Sequence, residues 1–115
     1  MIVVTGVSGF IASALVRRLN QDRFFDLVLV DDFVGRSEHE QHERTGINYM
    51  NKEYVVCVDR EDFIEWIEAS ESMVEFVFHF GARTDTAEQD LEVLTRLNLD
   101  YSKDIWRICA KFQIP

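Results

Sequence analysis

The residues that constrain this chain most are its first dozen, Ile2-Val3-Val4-Thr5-Gly6-Val7-Ser8-Gly9-Phe10-Ile11-Ala12-Ser13. A run rich in β-branched side chains meets a glycine turn, and the turn leads at once into a helical pattern. A strand, a tight loop and a helix N-terminus therefore follow one another without slack. Gly6 permits the sharp exit from the strand, where a Cβ would clash. Gly9 lets the backbone approach a diphosphate, whose charge then faces the unpaired N–H groups and positive end of the helix. Ala12 falls where the helix packs tightly on the strand, a place that alanine fits nearly as well as glycine.

The spacing is Gly6-x-x-Gly9-x-x-Ala12 rather than G-x-G-x-x-G, and glycine turns between strand and helix also arise for packing alone. No Lys-Ser or Lys-Thr pair follows the glycines, which excludes a P-loop. The context downstream carries the argument further. Leu27-Val28-Leu29-Val30 is a continuous apolar run, as a strand covered on both faces requires, and it ends abruptly in Asp31-Asp32. Asp31 lies 25 residues after Gly6. In a doubly wound sheet that strand tip sits beside the first, and a carboxylate there accepts both hydroxyls of an adenosine ribose. Turn and carboxylate together point to a bound dinucleotide. Two carboxylates at 31 and 32 repel a ribose 2′-phosphate and so favour NAD, while Arg36 is close enough to reverse the preference. NADP and NAD both remain open.

Elsewhere the apolar periods define the elements. Ala12, Leu15, Val16 and Leu19 form one helical face, with Arg17, Arg18 and Asn20 turned away and Gln21-Asp22-Arg23 as the exit. Residues 33–52 are polar, contain Gly35 and Gly46 and lack a clear period. They read as a long loop with one helical turn around Ser37 to Arg44. Glu53 to Val58 is the third strand. Asp59-Arg60-Glu61-Asp62 resembles a helix start that Asp59 can cap, and Phe63, Ile64 and Ile67 supply the buried face. Val74 to Phe80 is the fourth strand, running into Gly81-Ala82-Arg83-Thr84. A long helix from Glu88 to Phe112 follows, with Leu94, Leu97, Tyr101, Ile105, Ile108 and Phe112 in phase. This order predicts an α/β fold with a parallel sheet and right-handed crossovers.

Charge excludes whole classes of partner. With 21 acidic against 12 basic side chains the net charge is −9, which argues against nucleic acid and against an anionic membrane surface. No apolar run approaches the roughly 18 residues needed to span a bilayer. The strand motif starting at residue 2 leaves no room for a secretory leader. Cys57 and Cys109 fall in apolar stretches with no CxxC, the pattern of reduced, buried thiols in a cytoplasmic protein. His39-Glu40-Gln41-His42 imitates a metal pair, but no third ligand is spaced to complete it, so no metal is expected. Ser8 and His79 could suggest a nucleophile pair, yet no G-x-S-x-G elbow surrounds the serine. His79 reads equally well as a core histidine, and Arg83 as an anion contact or a plain surface arginine.

Four stretches together, Thr5-Gly6-x-x-Gly9-Phe10-Ile11-Ala12, Val30-Asp31-Asp32, Phe78-His79-x-Gly81-Ala82 and Asn98-x-x-Tyr101-Ser102-Lys103, resemble the extended short-chain dehydrogenases, the NAD-dependent sugar epimerase/dehydratase family. The resemblance covers essentially the whole chain. It implies a Rossmann-type doubly wound parallel sheet, here incomplete with about four strands in the order 3-2-1-4. It implies that Gly6, Gly9, Phe10 and Ile11 hold a diphosphate and that Asp31 and Asp32 hold the adenosine ribose. Arg60 takes a basic cofactor-contact position, Phe80, Gly81, Ala82, Arg83 and Thr84 line the cofactor, and Asn98 lies near the nicotinamide ribose. The substrate implied is a nucleotide-linked sugar of the ADP-heptose type, in the synthesis of lipopolysaccharide precursors, and the assembly implied is a homo-oligomer.

The family's Tyr-x-x-x-Lys pair is missing, because Tyr101 and Lys103 stand two residues apart rather than four. Residues 1–115 accordingly read as the N-terminal part of a cofactor-binding domain without turnover of its own, lacking the fifth and later strands and the sugar-binding domain. Another epimerase or dehydratase of the same family, and a dinucleotide-sensing module without chemistry, are the alternatives.

Overall fold

The fold comes from a computed structural model, which describes residues 1–33, 49, 51–80 and 95–115, the last segment with side chains from 98 onward. Strands β1 (Ile2–Thr5), β2 (Leu27–Asp31), β3 (Val56–Asp59) and β4 (Phe76–His79) form one parallel sheet in the order β3-β2-β1-β4. The predicted α/β class and strand order hold. The α-helices among the described residues are α1 (Phe10–Gln21), α2 (Phe63–Ala69) and α3 (Tyr101–Phe112).

Successive strand residues point to opposite faces, so an apolar run without alternation buries both. On one face Val3, Val28, Val30 and Val58 pack with Phe63 and Ile67 of α2 and with Ile105 and Ile108 of α3. On the other, Val4, Leu27 and Leu29 pack with Ala12 and Val16 of α1. Each such side chain contributes about 1.5–3 kcal/mol on leaving water.

Two clamps fix where the helices end. Arg23 turns into the left-handed region at φ 67°, and the Phe24 N–H reaches back to the Leu19 carbonyl at 2.9 Å. The Asn20 side chain then holds a distant part of the chain. Its Nδ2 donates to the Glu53 carbonyl at 2.9 Å, and its Oδ1 accepts the Glu53 N–H at 2.8 Å. After α3, Gln113 adopts φ 58°, and the Val77 N–H donates to the Pro115 carbonyl at 2.9 Å along the outer side of β4.

Several boundaries differ from the sequence reading. β3 and β4 begin later than residues 53 and 74. The expected helix from Glu88 to Phe112 is not one regular element, for Thr95–Asp100 is a wider π-helical turn and α-geometry begins only at Tyr101. The helical turn expected near residues 37–44 lies outside the described residues, as does the helix from 88 to 94. Cys57 is exposed and Cys109 half-buried, against the expectation of two buried thiols. The reason is topological. β3 is the end strand, and Cys57 points to the face that α1 covers only as far as β2.

β4 is the end strand on the other side. Phe76 and Phe78 are exposed, while Val77 and His79 border a groove of about 350 Å³ whose far wall includes Trp106 and Cys109 of α3. An apolar edge strand of this kind templates pairing with another chain. Sedimentation velocity of the isolated chain is expected to show association that grows with concentration. A single monomer species across a hundredfold concentration range would contradict it.

Candidate functional site

The C-terminal ends of the four strands lie along one rim, where Thr5 is level with Val30 and His79, and Asp31 with Asp59. The glycine turn rises from the middle of this rim. Gly6 has φ 73°, which only glycine adopts without strain, and its N–H continues the ladder to the Val30 carbonyl at 2.8 Å. The Gly9 N–H closes the turn on the Gly6 carbonyl at 2.9 Å, and the Ser13 N–H opens α1 on the Gly9 carbonyl at 3.0 Å. A Cβ at Gly9 would stand 3.1 Å from the Gly6 carbonyl oxygen. Gly9 is the N-cap and gives no side-chain bond, and the first turn of α1 holds no acidic residue. Phe10 and Ile11 are exposed. This end of α1 has the geometry and polarity that suit a diphosphate.

Asp31 is tied directly to that turn. Its Oδ2 accepts the Ser8 N–H at 2.7 Å and its Oδ1 the Asp32 N–H at 2.8 Å. The Asp31 carbonyl accepts the Arg60 N–H at 2.8 Å, which brings the start of the β3–α2 connection to the same place. Asp32 itself is exposed. Asp59 was expected to cap a helix, yet its Oδ1 accepts the Glu61 N–H and its Oδ2 the Phe33 N–H, both at 3.0 Å. The helix starts later, at Phe63, and the carboxylate braces the segment after β2 instead.

On the opposite side of the turn the sequence reading missed Thr5. Its hydroxyl is buried, accepts the Phe80 N–H at 3.1 Å and meets His79 Nδ1 at 2.7 Å. His79 Nε2 in turn meets Ser102 Oγ at 2.8 Å on α3. His79 is half-buried, and its ring meets two hydroxyls where the core reading expected backbone. Burial lowers its pKa, and the Arg60 cation lowers it further. Ser8 engages Asp31 through its backbone, and the Ser8–His79 pairing stays discarded.

Of the other candidates, Phe80 is exposed at the end of β4 and Asn98 lies half-buried in the π-helical turn. Arg60 is half-buried over the Tyr101 ring. Gly81, Ala82, Arg83 and Thr84 lie outside the described residues, as do His39 and His42. Among the described residues no cluster of His, Cys, Asp or Glu could hold a metal, and no helix is long and apolar enough to cross a membrane. Burial pushes the Tyr101 pKa well above the usual tyrosine value, and Lys103, two residues on, is exposed.

The His79 network makes a pH prediction. Its folded pKa lies below the ordinary 6.5, so the unfolded chain binds this proton more readily than the folded one. The neutral imidazole therefore contributes stability that is present above pH 6.5 and lost as pH falls through the folded pKa. In urea unfolding at a series of pH values below neutrality, His79→Gln is expected to lose less stability on acidification than the wild type. Parallel profiles for the two proteins would refute this.

Comparison with known proteins agrees with this geometry. A family model described as "NAD dependent epimerase/dehydratase family" matches residues 2–115. The ADP-L-glycero-D-manno-heptose-6-epimerase of Fusobacterium nucleatum subsp. nucleatum is 34% identical over 116 residues, covering 99% of this chain and 33% of the relative. Among solved structures, the Helicobacter pylori ADP-L-glycero-D-manno-heptose-6-epimerase matches with a TM-score of 0.75 at 21% identity, over 98% of this chain and 36% of that one. The Bacillus cereus UDP-glucuronic acid 4-epimerase in complex with NAD matches with a TM-score of 0.67 at 19% identity, over 98% and 37%. The chain thus spans about a third of the length of these proteins.

Proposed function

The chain belongs to the NAD dependent epimerase/dehydratase family, and from that premise we propose that it is the cofactor-binding portion of a nucleotide-sugar epimerase resembling ADP-L-glycero-D-manno-heptose 6-epimerase. The 34% identity that runs along the whole chain supports this choice within the family. When bound, NAD or NADP would supply the acceptor for a hydride leaving the heptose C6 carbon and the donor that re-reduces the resulting carbonyl on its other face.

The chain's own residues bind and orient. The turn at Gly6 and Gly9 lets a diphosphate come close to the backbone, the first-turn N–H groups of Phe10 and Ile11 face it, and the bare α1 N-terminus adds its partial positive charge. The Asp31 carboxylate, held against the turn by Ser8, takes the adenosine ribose hydroxyls, with Asp32 beside it. Arg60 contacts the adenosine end. Phe80, Gly81, Ala82, Arg83 and Thr84 line the cofactor on the β4 side, and Asn98 lies near the nicotinamide ribose. A nucleotide-linked heptose as substrate fits a cytoplasmic role in lipopolysaccharide precursor synthesis. The exposed Phe76 and Phe78 of the end strand β4 fit a homo-oligomer.

The single observation behind this reading is the 2.7 Å bond from the Ser8 N–H to Asp31 Oδ2, which brings a diphosphate-shaped turn and a ribose-binding carboxylate together. Hydrogen bonds to charged groups are worth about 1.5–3 kcal/mol, so Asp31→Ala is expected to weaken NAD by roughly ten- to a hundredfold in calorimetric titration, and NADP by less because the carboxylate also repels a 2′-phosphate. Equal affinity of the variant and the wild type would remove the ribose role. The same titration ranks NAD against NADP.

No Tyr-x-x-x-Lys occurs in the 115 residues. A coupled assay with the isolated chain and an ADP-linked heptose is therefore expected to give no epimerisation, and measurable turnover would overturn the assignment as a binding portion only.

A further inference from the structure

Tyr101 has no part in the reading above, yet it sits at the centre of the rim's charges. The Arg60 guanidinium carbon lies 4.5 Å from the centroid of its ring. The ring's edge also meets His79, with centroids 5.9 Å apart at 61°. Its hydroxyl is buried and has no hydrogen-bond partner among the described residues. A buried, unpaired hydroxyl is destabilising, so the contacts of the ring must outweigh that cost.

Arg60 leaves β3 with its backbone N–H on the Asp31 carbonyl at 2.8 Å, one residue beyond Asp59. A guanidinium on a long stem loses considerable rotamer freedom when it is held in one place, and stacking on an aromatic face fixes its plane. Tyr101 supplies that face from the first residue of α3, an element far from Arg60 in sequence.

We propose that Tyr101 is a positioning residue, whose ring holds the Arg60 guanidinium flat beside Asp31 so that it meets the adenosine end of a dinucleotide. This deepens the cofactor reading and rests on it. The ring does the work and the hydroxyl takes no part.

The test is titration of NAD and, separately, ADP against the isolated chain. Tyr101→Leu is expected to weaken both about three- to tenfold, the range of a partly desolvated cation–π contact. Tyr101→Phe is expected to restore wild-type affinity. Arg60→Ala should weaken binding at least as much, and the double variant Arg60→Ala/Tyr101→Leu no more than Arg60→Ala alone, because the two residues act as one unit. In the wild-type chain, NMR should place the Arg60 side-chain methylene protons upfield, shielded by the ring, and this readout does not require any variant to fold. Wild-type affinity in Tyr101→Leu, loss in Tyr101→Phe equal to that in Tyr101→Leu, additive losses, or unshifted Arg60 protons would each overturn the proposal while leaving the cofactor reading intact. Absence of NAD and ADP binding by the wild type would overturn both.

Discussion

The bond from the Ser8 N–H to the Asp31 carboxylate is the point on which the arrangement of the rim turns. Without it, the loop after β1 is a four-residue connection held to the sheet by the Gly6 bond to Val30 and closed on itself by the Gly9 bond to Gly6. With it, the loop is tied to the tip of the neighbouring strand by a charged acceptor, the stronger class of hydrogen bond. The same aspartate receives the Arg60 N–H on its carbonyl, so three connections meet at one residue. The left-handed turn at Gly6 makes the approach possible, since any side chain at that φ would add strain to the turn that carries Ser8.

Much of this was legible in the sequence, and the legible parts share a cause. β2 is apolar from Leu27 to Val30 because both its faces are covered there, which places it inside the sheet without further information. The glycines mark backbone conformations or approaches that side chains forbid, so their roles are local and readable. What was not legible depends on partners distant in sequence. Thr5 looks like an ordinary β-branched strand residue, and only the arrival of β4 and α3 gives its hydroxyl His79 and, beyond it, Ser102. Asp59 has the sequence signature of a helix cap, but the backbone after β2 competes for its carboxylate and wins one oxygen. The period from Tyr101 to Phe112 is correct, with Ile105 and Ile108 buried, yet period alone cannot distinguish a continuous α-helix from one preceded by a wider turn. Cys57 lies in an apolar run and is still exposed, because apolarity records that a face can be covered and not whether a helix reaches it.

The two rims of the sheet divide the labour. At the C-terminal rim, backbone N–H groups from Ser8, Asp32, Phe33, Arg60 and Glu61 converge on Asp31 and Asp59, which brace the described starts of three connections against one another. Stacked on Tyr101, Arg60 adds the opposing charge. The opposite rim uses exposed ion pairs, such as the Met1 amine with Asp26 and Glu75, which contribute little. A rigid frame with one chemically dense edge is what a parallel sheet offers, since strand ends and helix starts collect on the same side.

The pair of hydrogen bonds between Asn20 and Glu53 bears on the rim as well. One end of the intervening stretch is pinned by Phe33 on Asp59 and the other by this amide on Glu53, so β3 takes its register from anchors outside the stretch itself. The placement of Asp59 beside Asp31 therefore rests on an amide at the far end of α1 as well as on the strands themselves, so that a change at Asn20 reaches the rim through the register of β3.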